Sequence, residues 1–124
     1  KTVLGLIHAG REGTRKHVTV KAVNIFLNKF NSNPDDIISI IGPSIGPCCY
    51  HLPDELLNLC SKDGLVITDK HTVDLWQSNK KQLLDSGINK DKIFISEECT
   101  CCLNYYYSYR RGDRQLRNYV IGMI

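Results

Sequence analysis

The sequence lacks the features that would commit the protein to a membrane or to nucleic acid. No apolar run approaches the roughly 20 residues that a membrane-spanning helix requires. The formal net charge of +3 is small and dispersed, so no nucleic-acid partner is expected. Internal repeats, low-complexity segments and linkers are absent as well. With 124 residues, of which 42% are hydrophobic, the chain is predicted to form one soluble domain with an ordinary core.

There is also little to support a disulfide framework, although the chain contains six cysteines. Disulfide-rich secreted domains are usually shorter and poorer in core residues. Two cysteine pairs, Cys48–Cys49 and Cys101–Cys102, are adjacent in sequence, and such neighbours do not easily bridge to each other. We therefore predict reduced thiols and a cytoplasmic protein.

The cysteines form only a weak zinc-binding pattern. Two C-x-x-C pairs would indicate a structural zinc site strongly, whereas this chain has one C-C and one C-T-C-C stretch. Neighbouring side chains on an extended backbone point to opposite faces. At most one of Cys48 and Cys49 is therefore expected to address a given site, and the thiols are predicted to be structural.

Hydrophobic periodicity predicts alternating strands and helices. Strands are expected at residues 2–7, 37–41, 65–68, 92–96 and 119–124, and helices at 14–30, 53–62 and 72–86. This alternation predicts an α/β (α+β) fold, a layered mixed β-sheet with flanking helices. Because Lys1 leads straight into a strand without an initiator methionine, residues 1–124 are expected to be part of a longer protein.

Three residues are candidates for a functional site. His8 ends the first predicted strand, and Gly10 and Gly13 then let the chain turn, which is a common position for chemistry. The alternative is a histidine hydrogen-bonded at the edge of the core. Arg110 and Arg111 are candidate substrate-binding residues, because a guanidinium group holds phosphate or carboxylate in two-pronged contacts. The alternative is a solvated or salt-bridged surface.

Several stretches, taken in order, resemble one family. They are HAGREGT (8–14), IGPSIGPCCYHL (41–52), DLWQSN (74–79) followed by QL (82–83), and CTCC (99–102) with YYSYRR (106–111). These are similar to motifs of the laccase-like domain family, also called multicopper polyphenol oxidase-like, which is associated with purine nucleoside phosphorylase and adenosine deaminase activity. Arg117 matches the arginine of the family's T-G-R. Each motif is weak alone, but together they cover nearly the whole chain in register.

The resemblance implies that residues 1–124 form the C-terminal half of a larger single domain. It also implies a zinc site of two histidines and a cysteine, of which only His8 is present here. The other two ligands would come from the N-terminal half, which is therefore an expected partner. None of the six cysteines matches the family's metal-ligand cysteine. The implied activity is zinc-dependent phosphorolysis of purine nucleosides and deamination of adenosine, with small-molecule nucleoside and phosphate as ligands.

Two other functions remain open. One is copper-dependent oxidation of phenols, the family's older name, although copper would favour several imidazoles. The other is a non-catalytic fragment or partner subunit. The chain also departs from the family motif next to the site, because Arg11 and Glu12 stand where the family usually has Trp followed by Arg or Lys, and Leu116 replaces the family Gly.

Overall fold

The computed structural model describes residues 2–124, which form helices and short strands of both orientations. The helices are α1 (Arg11–Arg15), α2 (Val18–Phe30), α3 (Asp54–Lys62) and α4 (Leu75–Asp85), with 3-10 turns at Pro34–Asp36 and Lys90–Lys92. The strands are β1 (Ser39–Ile41), β2 (Val66–Ile67), β3 (Val73–Asp74) and β4 (Ile93–Ile95). β1 pairs with β4 in parallel, and β2 pairs with β3 antiparallel. The predicted α/β class is confirmed.

Helix α4 lies at the centre and contacts both sheets, α1 and α2. Asp74 is its N-cap residue. The Asp74 carboxylate accepts a hydrogen bond from the backbone N–H of Gln77 at 2.9 Å and so satisfies one free donor of the first turn. One side of α4 joins an apolar cluster with α3 and β3 that contains Leu57, Cys60, Leu65, Val73 and Leu75. The other side joins a cluster with α2 and β4 that contains Val23, Leu83, Ile88 and Ile93.

The prediction of a single helix over residues 14–30 is wrong in its first part, because the helix is interrupted between α1 and α2. His17 sits at the break in the left-handed region, with φ at 56°. In a continuous helix the carbonyl of Thr14 would accept a hydrogen bond from a backbone N–H one turn later. Here it accepts from the backbone N–H of His17 at 3.0 Å and from the side-chain amide of Gln82 at 2.8 Å. Among residues 2–124, no helix is long and apolar enough to cross a bilayer.

The strands predicted at residues 2–7 and 119–124 are not formed in the described structure. A strand needs a neighbouring ladder to receive its backbone groups, and in residues 2–124 neither segment has one. Their apolar side chains are largely exposed, with Leu4 at 46% and Ile121 at 87%. The two segments nevertheless lie side by side, because the Leu4 side chain packs directly onto the backbone of Gly122.

Candidate functional site

His8 is exposed in the segment that precedes α1. Its Nε2 lies over Gly10, where a Cβ atom would come within 3.0 Å of it. In the described part of the chain, His8 belongs to no group of three or more histidine, cysteine or acidic side chains close enough to hold a metal ion. Residues 2–124 therefore do not form the implied zinc site by themselves, and the assignment of His8 as a metal ligand stays a prediction.

A buried network of polar side chains fixes the segment that carries His8. Thr14 is fully buried and donates its hydroxyl to the carbonyl of Ala9 at 3.1 Å. The amide of Asn79 donates to the Thr14 hydroxyl at 3.0 Å, and its oxygen accepts from the hydroxyl of Thr19 at 2.6 Å. Gln82 completes the network through the Thr14 carbonyl. The Asn and Gln of the DLWQSN–QL motif thus position the turn after His8 by tying α1 to α4.

Arg110 lies over the ring of Tyr50. Its guanidinium stands 5.4 Å from the centre of that ring and donates to the carbonyl of His51 at 2.8 Å. Burial raises the pKa of Tyr50, while the positive charges of Arg11 and Arg110 both oppose that rise. Both guanidinium groups therefore act on the same side chain, and Arg11 is only three residues from His8 in sequence.

Arg111 is engaged within its own loop. One terminal nitrogen donates to the carbonyls of Thr100, Cys101 and Leu103 at 3.1 to 3.3 Å. The other donates to the carbonyl of Tyr106 and to the carboxylate of Asp113, the latter at 2.8 Å. These contacts make Arg111 a clamp on the loop of residues 99–106. Its predicted substrate-binding role remains untested, and of the two arginines Arg110 has the more available guanidinium.

Four cysteines form a cluster that we call the thiol cluster: Cys48, Cys49, Cys99 and Cys102. Their sulfur atoms all lie within 4.8 Å of one another, which is close enough for the four sulfurs to hold one metal ion. The Cys102 sulfur is 3.5 Å from that of Cys48 and 3.4 Å from that of Cys49. The expectation that adjacent Cys48 and Cys49 face opposite ways is therefore wrong. The reason is local: the backbone there is a turn rather than extended chain.

The cluster forms because two loops leave the same end of the parallel pair β1–β4. The pairing continues past both strands, since the N–H of Ser44 donates to the carbonyl of Glu98 at 3.2 Å and the N–H of Thr100 donates to the carbonyl of Ser44 at 3.0 Å. The indole N–H of Trp76 donates to the Ser44 hydroxyl at 2.7 Å and fixes the first loop against α4.

Gly46 sets the turn that presents the first two cysteines. Its carbonyl accepts from the N–H groups of Cys49 and Tyr50 at 3.0 and 3.1 Å. Its own N–H donates to the sulfur of Cys99 at 3.2 Å. A Cβ at this position would lie 2.7 Å from the Trp76 ring and 3.2 Å from the Cys99 Cβ. The close approach of the two loops therefore requires glycine here.

The thiols of the cluster differ in acidity. Burial raises the pKa of Cys99, but hydrogen bonds from backbone N–H groups have a larger combined effect and lower it to about 7. The N–H of Gly46 contributes most to this lowering. Burial and the hydrogen bond with Cys102 raise the pKa of Cys48 to about 11. The hydrogen bond with Cys102, followed by burial, raises the pKa of Cys49. Cys99 is thus the member most easily held as a thiolate.

Comparison with known proteins identifies the class to which this fold and these motifs belong. The family described as multi-copper polyphenol oxidoreductase laccase matches residues 1–122. The chain belongs to this family, which confirms the resemblance drawn from the motifs.

Individual relatives in this family include proteins named purine nucleoside phosphorylase. The chain is 30% identical to the purine nucleoside phosphorylase YlmD of Geobacillus stearothermophilus, over 98% of this chain and 48% of the relative. It is 33% identical to the purine nucleoside phosphorylase YlmD of Bacillus subtilis, over 91% of this chain and 44% of the relative. The crystal structure of the Geobacillus stearothermophilus YlmD superposes with a TM-score of 0.75 and 32% identity, covering 89% of this chain and 44% of that one. The chain therefore spans about half the length of these relatives.

Two features of the site escaped the sequence analysis. The sequence does show that each of the two cysteine stretches follows a predicted strand, but the cluster depends on the parallel pairing of those strands, which the structure reveals. Loops at the carboxyl ends of such strands meet at one edge of the sheet. The polar network of Asn79 and Gln82 carries a weaker signal. Two amides three residues apart on one helix face are also common on exposed helices, so burial could not be read from them.

Proposed function

We propose that the complete protein carrying this chain cleaves purine nucleosides with phosphate and deaminates adenosine, with zinc as its cofactor. Family membership and the names of the relatives support this assignment. The observation that carries it is that Arg110 stands over the ring of Tyr50, whose pKa also responds to the charge of Arg11, three residues after His8 in sequence.

Phosphorolysis requires a phosphate dianion to be held against the anomeric carbon of the sugar while positive charge develops there. Guanidinium groups suit this task, because they stay charged and make paired hydrogen bonds to phosphate oxygens. We assign Arg110 to bind the phosphate, with Arg11 adding positive charge nearby. The hydrogen bond from Arg110 to the His51 carbonyl and its position over the Tyr50 ring orient its guanidinium.

His8 is proposed as one zinc ligand of this site. Residues 2–124 supply no second and third ligand around it, so the remaining ligands are assigned to the part of the domain outside this chain. That part is also proposed to cover the outer face of the β1–β4 sheet, where Ile38, Ile40 and Phe94 are 53 to 75% exposed. A cytoplasmic location fits the six free thiols.

The test uses the complete protein with adenosine and phosphate, and chromatography to quantify adenine, ribose phosphate and inosine. We expect adenine and ribose phosphate in a phosphate-dependent reaction, and inosine without phosphate. Arg110→Ala is expected to raise the KM for phosphate about 10- to 100-fold, which corresponds to the loss of charged hydrogen bonds. The matched control is Arg114→Ala, since Arg114 contacts the ring of Tyr109 instead.

A parallel assay supplies a phenolic substrate and copper. Copper-dependent oxidation without nucleoside turnover would replace the proposal with the oxidase. If the complete protein showed neither activity, the result would favour a non-catalytic partner subunit. An unchanged KM for phosphate in Arg110→Ala would remove Arg110 from the phosphate site.

A further inference from the structure

We propose that Cys48, Cys49, Cys99 and Cys102 bind one zinc ion through their four thiolates, forming a structural site that fastens the two loops beyond β1 and β4. This site is separate from the His8 site and does not depend on the proposed function. Its four ligands come entirely from the described residues, whereas His8 belongs to no group of three or more ligating side chains there.

The sulfur positions fit tetrahedral zinc. A Zn–S distance of about 2.3 Å places the sulfurs of a tetrahedral site about 3.8 Å apart. In the thiol cluster all separations are within 4.8 Å, and the two contacts made by Cys102 are 3.4 and 3.5 Å. Four sulfur ligands leave no open position for water or substrate, which is the arrangement of a structural rather than a catalytic zinc site.

The backbone holds the sulfurs together without the metal. Both loops are joined by the hydrogen bonds around Ser44, and Cys99 and Cys102 are held in one turn, because the Cys99 carbonyl accepts the N–H groups of Cys102 and Leu103 at 3.1 and 3.0 Å. Preorganisation of this kind lowers the entropic cost of assembling four ligands. The site therefore exists as a consequence of the fold, and metal binding would reinforce it.

Two neighbouring groups support the thiolate of Cys99 and the loop that carries it. The N–H of Gly46 points at the Cys99 sulfur, as surrounding donors commonly do at metal-bound thiolates. Arg111 adds a positive charge on the loop of Cys99 and Cys102 through its hydrogen bonds to three carbonyls of that loop. Arg111 also pairs with the carboxylate of Asp113 at 2.8 Å, so its part in the site is to hold this loop in place.

Disulfide formation explains the cluster less well. A disulfide needs sulfurs about 2.0 Å apart, and Cys102 is almost equidistant from Cys48 and Cys49. A disulfide would use only one of these two equivalent contacts, whereas a tetrahedral metal site uses all four sulfurs at once. Tetrahedral coordination by four sulfurs is typical of zinc or iron. Zinc is the assignment here because it needs no redox partner.

The experiment measures zinc in the complete protein by elemental analysis and then tests which residues hold it. Cys102→Ser removes the sulfur that contacts both Cys48 and Cys49. This variant is expected to lose one equivalent of zinc per chain. Cys101→Ser is the matched control, because Cys101 lies in the same loop but outside the cluster. His8→Ala reports separately on the other site and is expected to leave the zinc of the thiol cluster in place.

Two measurements on the wild-type protein avoid any dependence on variant folding. Cobalt added to metal-free protein is expected to give the intense thiolate-to-metal absorption of a tetrahedral site with four sulfurs. Alkylation of the native protein is expected to be slower at the four cluster cysteines with zinc than without it. Full retention of zinc in Cys102→Ser, absence of the cobalt band, iron in place of zinc, or a disulfide at Cys102 would each overturn the proposal.

Discussion

The His8 region and the thiol cluster differ in how much of a site the chain itself provides. The thiol cluster draws ligands from two loops that follow paired parallel strands, so distant cysteines meet within residues 2–124. His8 follows a segment that has no strand partner in the described structure, and it belongs there to no group of three or more side chains that could hold a metal ion. In the described residues, the ligating side chains that come together are those on loops that follow paired strands.

The two regions are also held by different means. The segment of His8 depends on a buried side-chain network centred on Asn79, whereas the cluster depends on backbone pairing and on the small size of Gly46. Breaking one support should therefore leave the other region intact, and the following changes test that independence.

Asn79→Ala is expected to have the largest effect. Asn79 is 4% exposed and its side chain makes hydrogen bonds with Thr14, Thr19 and the Leu75 carbonyl. Loss of three bonds at about 1 kcal/mol each lowers the free energy of unfolding by about 3 kcal/mol. Denaturant unfolding measures this change, with Gln77→Ala on the exposed side of α4 as the control.

Cobalt absorption of the same variant decides whether the regions are independent. An unchanged band in folded Asn79→Ala is expected, because the variant alters the support of α1 and leaves the two cysteine loops paired. A loss of the band together with the loss of stability would show that the two regions are coupled through α4.

Gly46→Ala is expected to have an intermediate effect on the opposite region. The new methyl group would meet the Trp76 ring at 2.7 Å and the Cys99 Cβ at 3.2 Å, and overpacking of this kind costs about 1–3 kcal/mol. The control is Gly42→Ala in the same loop, where a Cβ would meet nothing within 4 Å. Equal stabilities of the two variants in denaturant unfolding would contradict the close approach of the loops at Gly46.

The sequence predicted the strands and helices near α4 well, because their apolar residues recur at the spacing of a strand or a helix. β1, β4, α3 and α4 all lie within the predicted ranges. The end segments failed because their apolar residues match a strand pattern, but strand formation depends on a partner that local sequence does not specify. The break at His17 was missed for a similar reason, since it depends on Gln82, which is distant in sequence.

The candidate site divides in the same way. His8, Arg110 and Arg111 were selected as candidates from residue type and local spacing, and their roles stay predictions. The thiol cluster required knowledge that β1 and β4 are neighbours and that residues 47–49 turn. Adjacent cysteines on a turn share a face, in contrast to the alternation assumed for extended chain, so the conformation of three residues reversed the inference about metal binding.

The smallest expected effect concerns Asp113, which supports the cysteine loop indirectly through Arg111. The backbone N–H of Ser108 donates to its carboxylate at 3.0 Å, and this hydrogen bond, opposed by burial and reinforced by Arg111, lowers the pKa of Asp113 from its ordinary value of 3.8. The folded protein therefore prefers the ionised carboxylate more than the unfolded chain does. The resulting stabilisation is fully present above pH 3.8 and is lost as the pH falls through the lower folded-state pKa.

Asp113→Asn isolates this contribution, because the amide has nearly the shape of the protonated acid and keeps an oxygen that can accept from Ser108. The variant is expected to be less stable than the wild type at neutral pH, and the difference should shrink as the pH falls below 3.8. Denaturant unfolding across acidic pH measures this difference. Asp69→Asn, at an exposed turn position, controls for the change in net charge. A difference for Asp113→Asn that stays constant from neutral pH to below 3.8 would show that the carboxylate charge does not stabilise the loop, and that Arg111 is held by the carbonyls alone.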